Sequence, residues 1–117
     1  MNVFEAIRTL LAVREYEQRR IPDEIVARIS EAGRLSGSSM NKQPWHFAVV
    51  QDPEMLRQLG DASPHGPSIA DAPLAIVVII DKTRFAVSDA SRAIQNMLLV
   101  AWGEGIDGNW VGFGKLD

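Results

Sequence analysis

Residues 36–47 read Ser36-Gly37-Ser38-Ser39-Met40-Asn41-Lys42-Gln43-Pro44-Trp45-His46-Phe47. The stretch leads from a helical pattern into a strand pattern and packs hydroxyls, amides and unpaired backbone groups into one turn. Such groups donate and accept hydrogen bonds without formal charge, which suits a heteroaromatic ring carrying several carbonyls and ring nitrogens. The same residues also suit an ordinary polar connection held by Ser and Asn side-chain turns. The turn by itself leaves both readings open.

Working outward, the pattern on either side sets the fold class. Upstream, Pro22 suits a first-turn position, Asp23 and Glu24 favour the positive end of a helix dipole, and Ile25, Ile29 and Ala32 form a stripe that ends at Ser36-Gly37. Further upstream, Phe4, Ile7 and Leu11 recur at helical spacing between Val3 and about Val13, and Arg14 to Arg20 is an irregular polar connection. Downstream, Phe47 to Gln51 is a strand, and Asp52 caps a brief helix that stops at Gly60. Residues 60–73 hold two Gly and three Pro and read as a loop, of a length more often functional than idle. Leu74 to Ile80 is apolar at every position, the pattern of a strand buried on both faces. Ser88 or Asp89 caps a helix over Ala90 to Trp102, whose last turns, Met97 to Trp102, are apolar all round and predict a central position. Asn109 to Val111 reads as one more strand.

The expected order is helix, helix, strand, helix, strand, helix, strand. It predicts a single α+β domain over residues 1–117, with a small central sheet flanked by helices in α/β/α layers. The last residues, Gly112 to Asp117, supply no closing element, although a buried helix and strand need cover on both sides. A partner chain, or a C-terminal part of the domain beyond these residues, is expected to provide it.

Composition removes several classes of function. The chain has 117 residues, 46% of them hydrophobic and 23% charged, which excludes wholesale disorder. Its net charge of -3 offers no basic surface for nucleic acid and no polybasic membrane patch. The absence of cysteine removes disulfides, thiolate zinc sites and a cysteine nucleophile. His46 and His65 lack metal-ligand spacing and read as surface or packing residues. The seven-residue apolar run at 74–80 falls far short of the roughly 20 that span a bilayer. The N-terminus lacks a signal-peptide pattern, so a cytoplasmic protein is expected. Residues 103–108, Gly-Glu-Gly-Ile-Asp-Gly, spell G-x-G-x-x-G, but a helix precedes and a strand follows, the reverse of a dinucleotide site. They read as a helix stop and turn. Trp45, Trp102 and Trp110 read as core or interface anchors.

The 37–47 stretch resembles the signature of the FMN-dependent nitroreductase family, whose turn runs approximately P-S-S-x-N-x-Q-P-W before an apolar strand. The resemblance extends to Phe4-Glu5-Ala6-Ile7-Arg8, Val13-Arg14-Glu15-Tyr16, Ile21-Pro22-Asp23-Glu24, Asp71-Ala72-Pro73, the helix from Asp89 through Gln95-Asn96-Met97-Leu98-Leu99, and Asn109-Trp110-Val111-Gly112. It implies an intertwined homodimer with two FMN sites at the subunit interface. Arg14 falls where the family places a basic residue on the flavin phosphate. Ser38, Ser39 and Asn41 fall where the turn of one subunit lines the isoalloxazine ring bound largely by the other, and Gln43 braces that turn. Gly112 matches the region whose backbone approaches the flavin. No acid, base or nucleophile is implied, because the flavin carries the hydride chemistry.

Two departures stand out. Where the family carries Arg-Arg-Ser ahead of Arg14, this sequence has Leu10-Leu11-Ala12. Charge-assisted hydrogen bonds are worth roughly 1.5–3 kcal/mol each, so losing them costs on the order of a hundredfold in affinity. Arg8, Lys82 and Arg84 are the other basic candidates for the phosphate. The family also continues with a helix, a strand and a basic arm that these residues lack. The activity implied is hydride transfer from NADH or NADPH through FMN to a small-molecule acceptor such as a nitroaromatic or quinone, with ping-pong turnover. The alternatives are an oxidase or reductive dehalogenase chemistry on the same fold, and a non-catalytic flavin-binding or dimerisation module.

Overall fold

Two antiparallel strands lie against two long helices in the computed structural model, which describes residues 1–112. The first helix, α1 (Val3–Thr9), begins where the Asn2 side chain accepts the Glu5 N–H at 2.8 Å. It ends a turn short of the expected Val13, because Leu10 swings into extended backbone. Its apolar stripe does not face the core. Ala6 is its one buried residue, whereas Phe4 and Leu11 are 71% and 73% exposed and Ile7 also faces outward. The helix is anchored through Thr9, whose hydroxyl receives the Trp102 indole N–H at 2.8 Å.

Helix α2 (Asp23–Arg34) starts with Pro22 as the capping residue rather than in the first turn, and Asp23 and Glu24 follow at the positive end. Its buried face is Val26, Ile29 and Gly33, one position round from the expected stripe, leaving Ile25 and Ala32 half-buried. Gly33 sits where α2 meets its neighbour. A Cβ there would stand 2.8 Å from both Met97 Sδ and Phe47 Cζ, so the absent side chain sets the helix spacing.

Strand β1 (Trp45–Val50) pairs antiparallel with β2 (Ala75–Ile80), Phe47 opposite Val78 and Trp45 opposite Ile80. Between them runs α3 (Pro53–Ala62), capped by the Asp52 carboxylate accepting the Met55 N–H at 3.0 Å, then a 3-10 turn over Pro67–Asp71 inside the proline-rich loop. One sheet face, through Phe47, Ile76 and Val78, packs on the core residues Ile29, Met97 and Ala101. On the other face His46 is exposed and Ile79 is 53% exposed. Within this chain, therefore, β2 is not covered on both sides.

Helix α4 (Ala86–Gly103) begins one turn earlier than expected. Phe85 is the capping position, so Ser88 and Asp89 lie inside the helix rather than at its cap. Its buried stripe is Asp89, Ala93, Met97 and Ala101, every fourth residue. The glycines 103–108 terminate it. Gly105 takes φ +80°, its N–H meets the Trp102 carbonyl at 2.9 Å, and the Ile106 N–H meets the Ala101 carbonyl at 2.9 Å, the Schellman closure that glycine permits. The strand expected at Asn109 to Val111 does not form. A strand exists only as a pairing, and among the described residues this segment has none; an isolated parallel bridge, Ala12 with Gly108, lies just ahead of it. Residues 113–117, part of the expected open end, lie outside the described residues.

Candidate functional site

The polar turn is bent far from relaxed backbone. Ser38 is extended, Ser39–Asn41 make a single 3-10 turn, and Met40, Asn41 and Gln43 have φ of 55°, 54° and 50°. Left-handed backbone costs an ordinary L-residue roughly 1–2 kcal/mol, less for Asn. Three such residues in four positions need something to hold them. Ser38 Oγ accepts the Gln43 N–H at 2.9 Å, and Gln43 Nε2 donates to Asn41 Oδ1 at 2.8 Å, which closes the turn on itself. At its exit, the Pro44 carbonyl accepts the Asp81 N–H at 2.8 Å. At its entry, Asp89 Oδ1 on α4 accepts the Ser39 N–H at 2.9 Å. With its carbonyl engaged by Gln43, exposed Asn41 keeps its amide N–H groups as donors, next to the half-exposed Ser38 and Ser39.

Arg14 lies elsewhere. Its segment is held by the Ala12–Gly108 bridge, by the Val13 N–H on the Gly108 carbonyl at 3.3 Å, and by the Tyr16 hydroxyl donating to the Val13 carbonyl at 2.8 Å. Burial pushes the Tyr16 phenol above its ordinary pKa; the Arg14 guanidinium works against that rise and Asp107 adds to it. Arg14 is exposed, and among the described residues it forms no ion pair, not even with Glu15 or Glu17. Leu11 and Ala12 are exposed and Leu10 half-exposed, so the segment offers only backbone and Arg14 to an anion. Arg84 stacks its guanidinium over Phe85, 5.2 Å from the ring centroid, just ahead of α4. Gly112, four residues past the bridge, is exposed, and a Cβ there would meet nothing within 4 Å.

The structure thus brings Ser38, Ser39, Asn41 and Gln43 together and sets Arg14 and Gly112 apart from them. The turn is tied to Asp89 in the first turn of α4, whereas the Arg14 segment is tied to Gly108, which the turn at Gly105 brings back beside Leu98. Leu98 is nine residues along the helix from Asp89, about 13 Å of helix axis. An open hollow of about 560 Å³ lies beside the turn between α2 and β1, lined in part by Gln43, Trp45, Phe47, Ser30 and Arg34. Sequence reasoning missed two residues here. Asp89 reads as a helix cap, and only its contact with a residue fifty positions away reveals otherwise. Tyr16 appears in the pattern but not as the brace beneath Arg14.

Histidine 46 pairs with Asp81 at 3.1 Å on the surface. Among the described residues no group of His, Asp and Glu could hold a metal ion, and no helix is long and apolar enough to cross a membrane.

Comparison with known proteins gives a consistent result. The family model described as the nitroreductase family matches residues 8–83, more than half of the chain. A protein of Methanothermobacter thermautotrophicus, provisionally named NADH dehydrogenase/NAD(P)H nitroreductase, is 38% identical over 122 aligned positions, covering 100% of this chain and 64% of that protein. The solved structure of an FMN-dependent nitroreductase from Clostridium difficile R20291 is similar at TM-score 0.89 and 30% identity, over 92% of this chain and 65% of that one. A nitroreductase with bound FMN from Bacteroides fragilis superposes at TM-score 0.81 and 28% identity, over 95% and 70%. The chain spans about 64% of the length of the Methanothermobacter relative and of a second curated relative from Archaeoglobus fulgidus.

Proposed function

The chain belongs to the nitroreductase family, and from that premise we propose that it forms the flavin-binding part of an FMN-dependent oxidoreductase. The observation that carries the reading is the turn at 38–43, which holds uncharged donors and acceptors in a strained backbone at the place of the family signature. The residues fit the group. Ser38, Ser39 and the Asn41 amide suit a ring edge of carbonyls and ring nitrogens, and Arg14, exposed and without an ion pair among the described residues, suits a phosphate.

The chemistry a bound FMN supplies is hydride transfer from NADH or NADPH to a small-molecule acceptor such as a nitroaromatic or quinone. The chain's own residues bind and orient. Ser38, Ser39 and Asn41 fix the ring plane, Gln43 keeps Asn41 in place, and the planar guanidinium of Arg14 engages phosphate oxygens. The turn and the Arg14 segment are tied about 13 Å apart along α4, at Asp89 and beside Leu98, which is consistent with a homodimer in which each chain gives its turn to one site and Arg14 and Gly112 to the other. The outward face of Phe4, Ile7 and Leu11 is consistent with such an assembly. A cytoplasmic location belongs to the same proposal.

A second reading, a flavin-binding or dimerisation module without turnover, is favoured by Leu10-Leu11-Ala12, which contribute no side-chain donor to a phosphate. Titration of the purified protein with FMN, followed by anaerobic NADH or NADPH, separates the two. Binding with bleaching of the flavin supports the enzyme, binding without bleaching supports the flavin-binding module, and no binding rejects both flavin readings and leaves only the dimerisation module. Light scattering that gave a stable monomer would remove the shared-site arrangement.

A further inference from the structure

We propose that Asp89 is a positioning residue for the ring site, its buried carboxyl group holding the 38–43 turn in its left-handed form before any flavin arrives. The proposal rests on the flavin reading of that turn. Asp89 is 1% exposed, and it terminates the buried stripe it shares with Ala93, Met97 and Ala101. A carboxyl group is a costly choice for a position that otherwise carries small and apolar side chains. One oxygen, Oδ1, accepts the Ser39 N–H across fifty residues of sequence; the other, Oδ2, is buried and has no partner among the described residues. A side chain kept for packing alone would be apolar or fully hydrogen-bonded.

The turn supplies the complementary need. Met40, Asn41 and Gln43 relax toward ordinary backbone unless their surroundings over-determine them. The Ser38–Gln43 and Gln43–Asn41 bonds lie within the turn, so they shape it without fixing it to the body of the protein. Asp89 does fix it, from a helix whose next turns are packed in the core, and so converts the rigidity of α4 into the position of Ser39 and its neighbours. A binding group held in place before its ligand arrives loses less freedom on binding. The position in the first turns of α4 adds a favourable helix dipole for the carboxyl group.

The test uses the full chain with FMN, with riboflavin, and without flavin. Asp89→Ala should weaken FMN and riboflavin by the same factor, about tenfold or more, because the contact serves the ring and not the phosphate. Asp89→Asn keeps an acceptor at Oδ1 and should restore most of that loss. Without flavin, amide hydrogen exchange at Ser39 should accelerate in Asp89→Ala while the amides of Met97 and Ala101 keep their wild-type rates. Unchanged flavin affinity, an unchanged Ser39 rate, or parallel acceleration throughout α4 would each overturn the positioning role. Should Asp89→Ala not fold, Ser39→Pro removes the donor from the other side, and extended Ser38 suits the position before a proline. It should bind both flavins at least about tenfold more weakly than Ser39→Ala, which loses only the hydroxyl; equal affinities overturn the proposal. Wild type that binds neither flavin rejects the flavin reading and this role with it, and a Ser39 exchange response in Asp89→Ala would then show that the brace exists without that ligand.

Discussion

Replacing Met40 by glycine is expected to stabilise the protein while weakening its hold on flavin. Met40 has φ 55° and ψ 23°, and its side chain is 84% exposed. Left-handed backbone costs an L-residue roughly 1–2 kcal/mol, which glycine recovers. Glycine gives back about 0.5–1 kcal/mol through the greater freedom of the unfolded chain. The lost packing is small, a few tenths of a kcal/mol, since little of the side chain is buried. The balance is a gain between zero and about 1 kcal/mol. Met40→Ile should move the other way by about 1 kcal/mol, because a β-branched side chain tolerates left-handed backbone least. Thermal or urea unfolding should therefore rank the variants Gly, Met, Ile, the extremes separated by several degrees in Tm. Flavin titration should rank Met above Gly, since a relaxed turn must be ordered by the ligand. A glycine variant less stable than wild type by about 1 kcal/mol, a difference two-state unfolding resolves, would refute the strain. Equal flavin affinity would refute its use.

Three further outcomes are expected. Arg14→Ala should weaken FMN about 10- to 100-fold while barely changing riboflavin, with the gap narrowing as salt is raised; equal losses measured by fluorescence titration would remove Arg14 from the phosphate. Tyr16 has a folded-state pKa above its ordinary 10.0, so its contribution is present below that value and is lost as pH rises through the folded value. Urea midpoints from about pH 9 to about pH 11 should fall more steeply for wild type than for Tyr16→Phe, and parallel curves would contradict the burial. Ile29→Ala, at the centre of the core, should cost about 2–5 kcal/mol of unfolding free energy and leave the FMN-to-riboflavin affinity ratio unchanged.

Local chemistry was the readable part of the fold. Asp52 caps α3 through an amide three residues away, and Gly105 turns the end of α4 through bonds that span at most five residues, so short windows contain both causes. Periodicity was readable only in part. It groups Phe4, Ile7 and Leu11 on one face but cannot say what that face meets, and within this chain it meets solvent. On α2 the buried face includes Gly33, which has no side chain to count as apolar, yet Met97 and Phe47 press against it. The strand expected at 109–111 failed for a related reason, since pairing needs a neighbour that the residues themselves do not reveal. The candidate turn was visible as a motif, whereas its left-handed backbone and its tie to Asp89 depend on contacts made only after the chain has folded.

The bond from Trp102 to Thr9 joins residues 93 apart, and together with the Ala12–Gly108 bridge it closes the early part of the chain on the late part. On the ribosome it has a temporal meaning. Synthesis proceeds at about 5–20 residues per second, so Thr9 waits roughly 5–20 seconds for its partner to be made. Throughout that interval Ala6, the residue that α1 buries, has no tertiary surface to rest on, and an isolated helix as short as α1 is marginal in water. Helix α1, made before the elements that it packs on, is thus among the last to be consolidated.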